Sequence, residues 1–233
     1  NEVTAGSNGW NLTGNAGTDT AINFLGTTDN LPLRFRLNNN WAGELNPTSD
    51  NIFLGLGAGQ ANTTAGKNIA IGTGALQNQS FNYGSETNNI AIGFEALYSN
   101  NPISNSFGIS NIAVGSFALR NNSYGYDNTA VGTSALYYNE TGNENTAVGR
   151  QALFYNTSSG NTATGYKALR GNSTGFFNTA NGRYALFSNT SGKYNTANGN
   201  QALYNNSIAD RNTANGNYAL YANTTAEMNT AIG

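Results

Sequence analysis

The apolar and polar positions of this chain repeat on a short fixed period. Residues 128–144 read NTAVGTSALYYNETGNE, and NTAVGRQALFYNTSSG and NTATGYKALRGNSTGFF follow directly. The Gly that ends each NTAVG-like element falls at 55, 72, 93, 115, 132, 149, 165, 182, 199, 216 and 233. The spacing is 17 residues, with longer intervals of 21 and 22 early and one of 16 between Gly149 and Gly165. Taking that Gly as position 0, Asn holds −4 in every copy, from Asn51 to Asn229. Ala holds −2 except at Phe53, and Ala holds +3 throughout. Leu holds +4 except at Gly59, and Asn holds +7 in nearly every copy. Asn128, Ala130, Gly132 and Leu136 are one instance of these columns; Asn145, Gly149 and Leu153 belong to the next.

Seventeen residues are too few for paired helices, whose repeats begin at about 33 residues. Asn, Gly and Thr are also weak helix formers. The pattern predicts two short strands per unit, T/I-A-V-G and x-A-L-Y, each followed by turn chemistry. Stacked units then form an all-β parallel solenoid of about ten coils. At the ~4.8 Å spacing of neighbouring strands its length is roughly 50 Å. A single unit buries too little to stand alone, so stability comes from stacking on neighbours. Asn at −4 and +7 should form ladders along the stack, as amides do in cross-β arrays. Small Ala at −2 and +3 implies a narrow interior, and Gly at 0 implies a corner or a close backbone approach.

Position −1 changes along the rod. It reads Leu54, Ile71, Ile92, Val114, Val131, Val148, Thr164, Asn181, Asn198, Asn215 and Ile232. Position −3 shifts from Ile to Thr at Thr129. We expect −3 and −1 to form a second face, apolar early and polar late. Its expected role is a subunit interface through Val114, Val131 and Val148, with a wetter stretch at Asn181, Asn198 and Asn215. The alternative is a solvent-facing strand, although Ile and Val columns are unusual on an exposed face.

The repeats occupy 51–233, with insertions near 77–88 and 98–110. Because the text stops at NTAIG, the array is expected to continue beyond 233. Residues 1–50 differ and are expected to form an N-terminal β cap or connector. Leu33-Arg34-Phe35-Arg36-Leu37 alternates as a half-buried strand does, Asn38 to Asn40 reads as a turn, and Trp41 to Leu45 as the returning strand. Together with Trp10 and Phe24, Trp41 is expected to cover the open end of the solenoid.

Composition narrows the function. The 233 residues carry a formal charge of −2, with 9% charged residues, 11% aromatic residues, no Cys and no His. Disordered chains carry more charge and fewer aromatics. Ten basic residues scattered along the chain do not suggest nucleic-acid binding. No apolar run has the length of a spanning helix, so membrane insertion of this segment is not expected. The opening NEVTAGSNGW lacks a leader pattern, as at a mature end or a fragment boundary.

The motifs NIAIG, NIAVG and NTAVG, each followed by x-x-A-L, resemble the head repeats of trimeric autotransporter adhesins. That resemblance covers about 51–233. It implies a left-handed parallel β-roll, with three chains packed side by side. It departs in repeat length, nearer 14 residues in that family, and in the late NTANG copies. Residues 10–50 resemble a segment upstream of such repeats in secreted and phage-like fibre proteins. The implied role is an extracellular fibre segment, on a cell-surface appendage or a virion or injection particle, giving length, stiffness and attachment. The implied partners are further copies of the chain, as a homotrimer, and a cell-surface glycan or protein.

Catalysis is not expected. Without His or Cys the common triads and thiolate mechanisms are absent. No carboxylate repeats in a fixed column, and no cofactor or metal motif is present, so neither is expected. Sequons recur along the chain, among them those that begin at Asn62, Asn139, Asn156, Asn172, Asn189 and Asn223. We read them as turn consensus rather than glycosylation sites. Candidate surface-binding residues are the aromatics at +5: Tyr98, Tyr137, Phe154, Phe187, Tyr204 and Tyr221, which Arg120 and Arg170 interrupt. Such rings either dock sugars or a neighbouring fibre, or simply cover the next coil. Phe81, Tyr83 and Phe107 in the insertions are the other candidates, because loops on a rigid frame commonly carry binding. Two further readings remain open. The Thr column at −3 suggests an ice-binding face, although only Thr162-Ala163-Thr164 gives a Thr-x-Thr pair. A polysaccharide-cleaving tail spike would need paired carboxylates between chains.

Overall fold

The computed structural model describes residues 16–19, 24–62, 64–80, 86–100 and 107–233. Among these, thirteen strands form one sheet in chain order. The first three are β1 (Leu33–Leu37), β2 (Asn40–Asn46) and β3 (Asn51–Leu54). Ten three-residue strands follow: β4 (Ile69–Ile71), β5 (Ile90–Ile92), β6 (Ile112–Val114), β7 (Thr129–Val131), β8 (Thr146–Val148), β9 (Thr162–Thr164), β10 (Thr179–Asn181), β11 (Thr196–Asn198), β12 (Thr213–Asn215) and β13 (Thr230–Ile232). From β3 onward every pairing is parallel and in register, as with Thr129, Ala130 and Val131 opposite Thr146, Ala147 and Val148. The fold is a parallel β-solenoid of about ten turns with 17-residue coils.

Each coil contributes one strand, not the two that the repeat suggested. The x-A-L-Y segment is a run of turns in which +2 and +4 take left-handed backbone, as at Ser134 (φ 57°) and Leu136 (φ 51°). The reason is geometric. Strand side chains alternate between faces, yet Ala135 and Leu136 are consecutive and both fully buried. Here the left-handed backbone at Leu136 turns the two neighbours inward. Such backbone is costly for a branched side chain, and the stack holds it in place by hydrogen bonds in both directions. Ser134 N–H donates backward to the Ser116 carbonyl, and Leu136 N–H donates forward to that of Ala152.

The core is a continuous column of Ala at −2, Ala at +3 and Leu at +4. The two exceptions compensate each other. Phe53 replaces Ala at −2 in the first coil, and a Cβ on Gly59, where Leu stands elsewhere, would lie 2.5 Å from the Phe53 ring. Gly at 0 is required twice over. Gly132 has φ 131°, and a Cβ there would meet the Gly149 carbonyl carbon at 2.7 Å.

The hairpin of β1 and β2 turns through Asn38 and Asn39, both at positive φ, which suits a two-residue hairpin loop. Strand β2 pairs antiparallel with β3, and the Trp41 indole N–H donates to the Ala58 carbonyl at 2.8 Å. Trp41 packs on the core. Phe24 does not share this role, contrary to expectation: it is 61% exposed. Trp10 lies outside the described residues.

Candidate functional site

Both Asn columns are fully buried and laddered inside the stack, from Asn68 to Asn212 at −4 and from Asn100 to Asn206 at +7, and are half-buried at Asn62, Asn223 and Asn229. The Asn145 backbone N–H and side-chain amide both donate to Asn128 Oδ1, at 3.1 Å each. The amide of Asn139 donates to Asn122 Oδ1 at 3.1 Å. The two ladders are joined, because Asn128 and Asn139 both donate to the Gly142 carbonyl at 2.8 Å. The same two-amide clamp recurs at Gly125, Gly175, Gly192 and Ala209. Burying so many polar groups is tolerable because nearly all of them find partners. Four of the sequons therefore begin in the interior. Asn139, Asn156, Asn172 and Asn189 are wholly buried with their amides engaged, so the nitrogen a glycan would need is inside the coil.

One ladder step breaks the pattern, and sequence reading missed it. Position +7 of the second coil is Gln79, whose longer side chain reaches past its coil. Its carbonyl accepts from Asn89 and Asn100, and its amide donates to the Thr87 hydroxyl. Asn62 in the preceding coil is left with a buried Oδ1 that accepts no hydrogen bond.

Outside, the three strand residues present −3 and −1 to the surroundings and −2 to the core. On the isolated chain Leu54, Ile71, Ile92, Val131 and Val148 are each more than a third exposed; Val114 is half-buried. Late in the rod the row becomes Thr and Asn, and Asn181 donates to Asn198 Oδ1 at 3.0 Å along the surface.

The +5 column is an unbroken stack, and the two arginines continue it rather than interrupt it. Tyr137 stacks on Phe154 with centroids 5.2 Å apart, Phe187 on Tyr204 at 5.1 Å, and Tyr204 on Tyr221 at 5.2 Å. Arg120 lies over Tyr98 at 5.0 Å and over Tyr137 at 6.0 Å. Arg170 lies between Phe154 at 5.2 Å and Phe187 at 5.9 Å. Both faces of Tyr137, Phe154, Phe187 and Tyr204 are therefore occupied by the neighbouring coils, whereas Tyr98 and Tyr221 each have one column neighbour. Most of these rings are half-buried, with Tyr221 exposed. Sugar docking by ring-face stacking is thus closed to the four rings inside the column. Phe107 is 38% exposed and meets Tyr124 edge-on; Phe81 and Tyr83 lie outside the described residues.

The coil period also gathers charges that look scattered in sequence. Arg150 and Arg183 stand at +1, Lys167 at +2 and Arg170 at +5 of three consecutive coils. They share one aromatic network: Arg150 over Tyr166 at 6.0 Å, Lys167 over Tyr166 at 4.9 Å and Arg183 over Tyr184 at 4.9 Å. Tyr184 contacts Tyr166 and Phe187 edge-on at 5.3 Å each. Hydrogen bonding from the Lys167 ammonium holds the Tyr166 phenol below its usual pKa; the positive field of Lys167 and Arg150 and a bond to Tyr184 act the same way.

No family model matches the chain, and neither the curated proteins nor the solved structures yield a match.

Proposed function

We propose that the chain is a segment of an extracellular fibre, providing length, stiffness and attachment, and that copies pack side by side as a homotrimer. The observation that carries this reading is the outward row of Leu54, Ile71, Ile92, Val131 and Val148. A flat sheet face with aligned apolar side chains is the kind of surface that subunit contacts bury. The ladder-filled interior supports the mechanical part, since every coil is hydrogen-bonded to the next. The likeness of NIAIG and NTAVG to trimeric adhesin head repeats points the same way, and the β1–β2 hairpin fits the role of a cap over the first coil. No catalytic role is assigned. Light scattering on the purified chain tests the assembly: we expect three times the chain mass of 24.4 kDa. A monomer at all accessible concentrations would remove the trimer and return the −3 and −1 columns to solvent. The Thr column at −3 favours ice binding as a second reading. A thermal hysteresis signal abolished by Thr179→Tyr would replace the fibre reading with that one.

A further inference from the structure

The flank carrying Arg150, Lys167, Arg170 and Arg183 has an unbalanced charge. No acidic residue stands at +1, +2, +5 or +6 of any coil from Gly132 to Gly216. None of the four cations is in an ion pair among the described residues; the pairs are Arg34–Glu44, Lys67–Glu86 and Arg120–Glu95. Resting on a ring stabilises a cation modestly and leaves its charge uncompensated. Arg150 and Arg183 are exposed, and Lys167 and Arg170 half-exposed. One cation per coil or more, over three coils, makes a positive line along the rod axis.

We propose that this flank binds an anionic polysaccharide lying along the solenoid, its carboxylate or sulfate groups set against Arg150, Lys167, Arg170 and Arg183. The aromatic network limits the choice of polymer. Single-stranded nucleic acid is held by stacking bases on ring faces, and here Phe154 and Phe187 have faces turned to Arg170 and to stacked neighbours. What the flank offers between its cations is hydroxyl and amide edges. Tyr155, Tyr166 and Tyr184 stand among Gln151, Asn200 and Gln201. These donors and acceptors match sugar hydroxyls, and the cations match the acid groups. The proposal names a ligand class for the attachment role above and rests on that reading for its setting; the binding itself is a property of one chain.

The test measures binding of the purified chain to immobilised polygalacturonate, dextran sulfate, neutral dextran and an oligothymidylate. The variant is Arg150→Gln, Lys167→Gln and Arg183→Gln combined. These changes suit the coil, because Gln151 and Gln201 already occupy +2 and Asn200 and Asn217 occupy +1. Unchanged circular dichroism and melting confirm folding. We expect the parent to bind an acidic polysaccharide with salt-sensitive affinity, and the variant to bind about tenfold more weakly, as loss of three exposed charge contacts implies. The polymer bound tighter identifies carboxylate or sulfate as the recognised group. Lys193→Gln with Arg211→Gln, on the −6 and −5 columns, should leave binding within about twofold. Four results each overturn the proposal: no binding by the parent, equal binding to neutral dextran, tighter binding to the oligothymidylate, or an unaffected triple variant. The fibre reading fails separately. A monomer that binds the polymer keeps this site and loses the trimer, whereas a trimer that ignores it does the reverse.

Discussion

The rod's two halves share an interior and differ outside. From β3 to β8 the outward strand positions are Ile, Leu, Val and Thr; from β9 they are Thr and Asn, until Ile232. Position −5 changes in the opposite sense. It holds Asp50, Lys67, Asn88, Ser110, Asp127 and Glu144 early, then, after Gly160, Phe177, Tyr194, Arg211 and Met228, whose three apolar members are well exposed. Apolar surface thus leaves the strand face and reappears at the edge beside it. Meanwhile Ala at −2, Ala at +3 and Leu at +4 stay buried in both halves. In a stacked fold the inner columns are constrained by every neighbour, while each outer column changes without disturbing the coil. Specific recognition therefore has to be sought in the outer columns.

Equivalence of the two interiors is the claim with the largest expected effect. Gly132→Ala and Gly199→Ala place a Cβ against the carbonyl of the next coil and require a left-handed corner that Ala resists. Each should cost about 3 kcal/mol or more, read from urea unfolding followed by circular dichroism. A large loss in one half with a negligible loss in the other would mean that the two interiors are not built alike.

The buried amides come next. Asn139→Ala removes a donor to Asn122 Oδ1 and to the Gly142 carbonyl, and leaves the Asn156 amide without one acceptor. Asn189→Ala does the same to Asn172, Gly192 and Asn206 in the late half. Each should cost about 2 kcal/mol, by the same unfolding measurement. Asn62→Ala should cost visibly less, since its Oδ1 already lacks a donor. Equal losses at Asn62 and Asn139 would show that the amide clamp, rather than the ladder, carries the energy.

Much of this was legible in the repeat text. Period, parallel register, Asn ladders, the Ala and Leu interior and the Gly corner all follow from columns, because identical residues at one spacing have one environment. The second strand was misread, although the signal was present: Ala and Leu adjacent, and both apolar from the second coil onward, contradict a pleated strand. Phe53 and Gly59 were visible as exceptions, but their compensation needed the distance between them. The arginines at +5 looked like interruptions because a side chain's length and planarity, not its polarity, decide whether it joins a stack. The cationic flank was hidden because Arg150, the Lys167 and Arg170 pair, and Arg183 are each about a coil apart in sequence yet neighbours along the stack.

The smallest effect on a single chain belongs to the outer face, where the halves differ. Val131→Asn with Val148→Asn converts two early rows to the late type. The new side chains sit one coil apart, as Asn181 and Asn198 do, so the same surface amide bond is available to them. Single-chain stability should move by no more than about 0.5 kcal/mol. The converse pair, Asn181→Val with Asn198→Val, gives up that exposed bond and extends the apolar strip, again at little cost to the coil. Association should separate the two. If the strand face is the subunit contact, the early pair weakens self-association about tenfold, by losing buried apolar area, and the late pair strengthens it. Light scattering over a concentration series reads both. Identical masses for parent and both variants would remove the strand face from the assembly. The exposed, stacked pair Phe177 and Tyr194 would then be the surface for copies to share, because it is apolar outer surface that these changes leave intact.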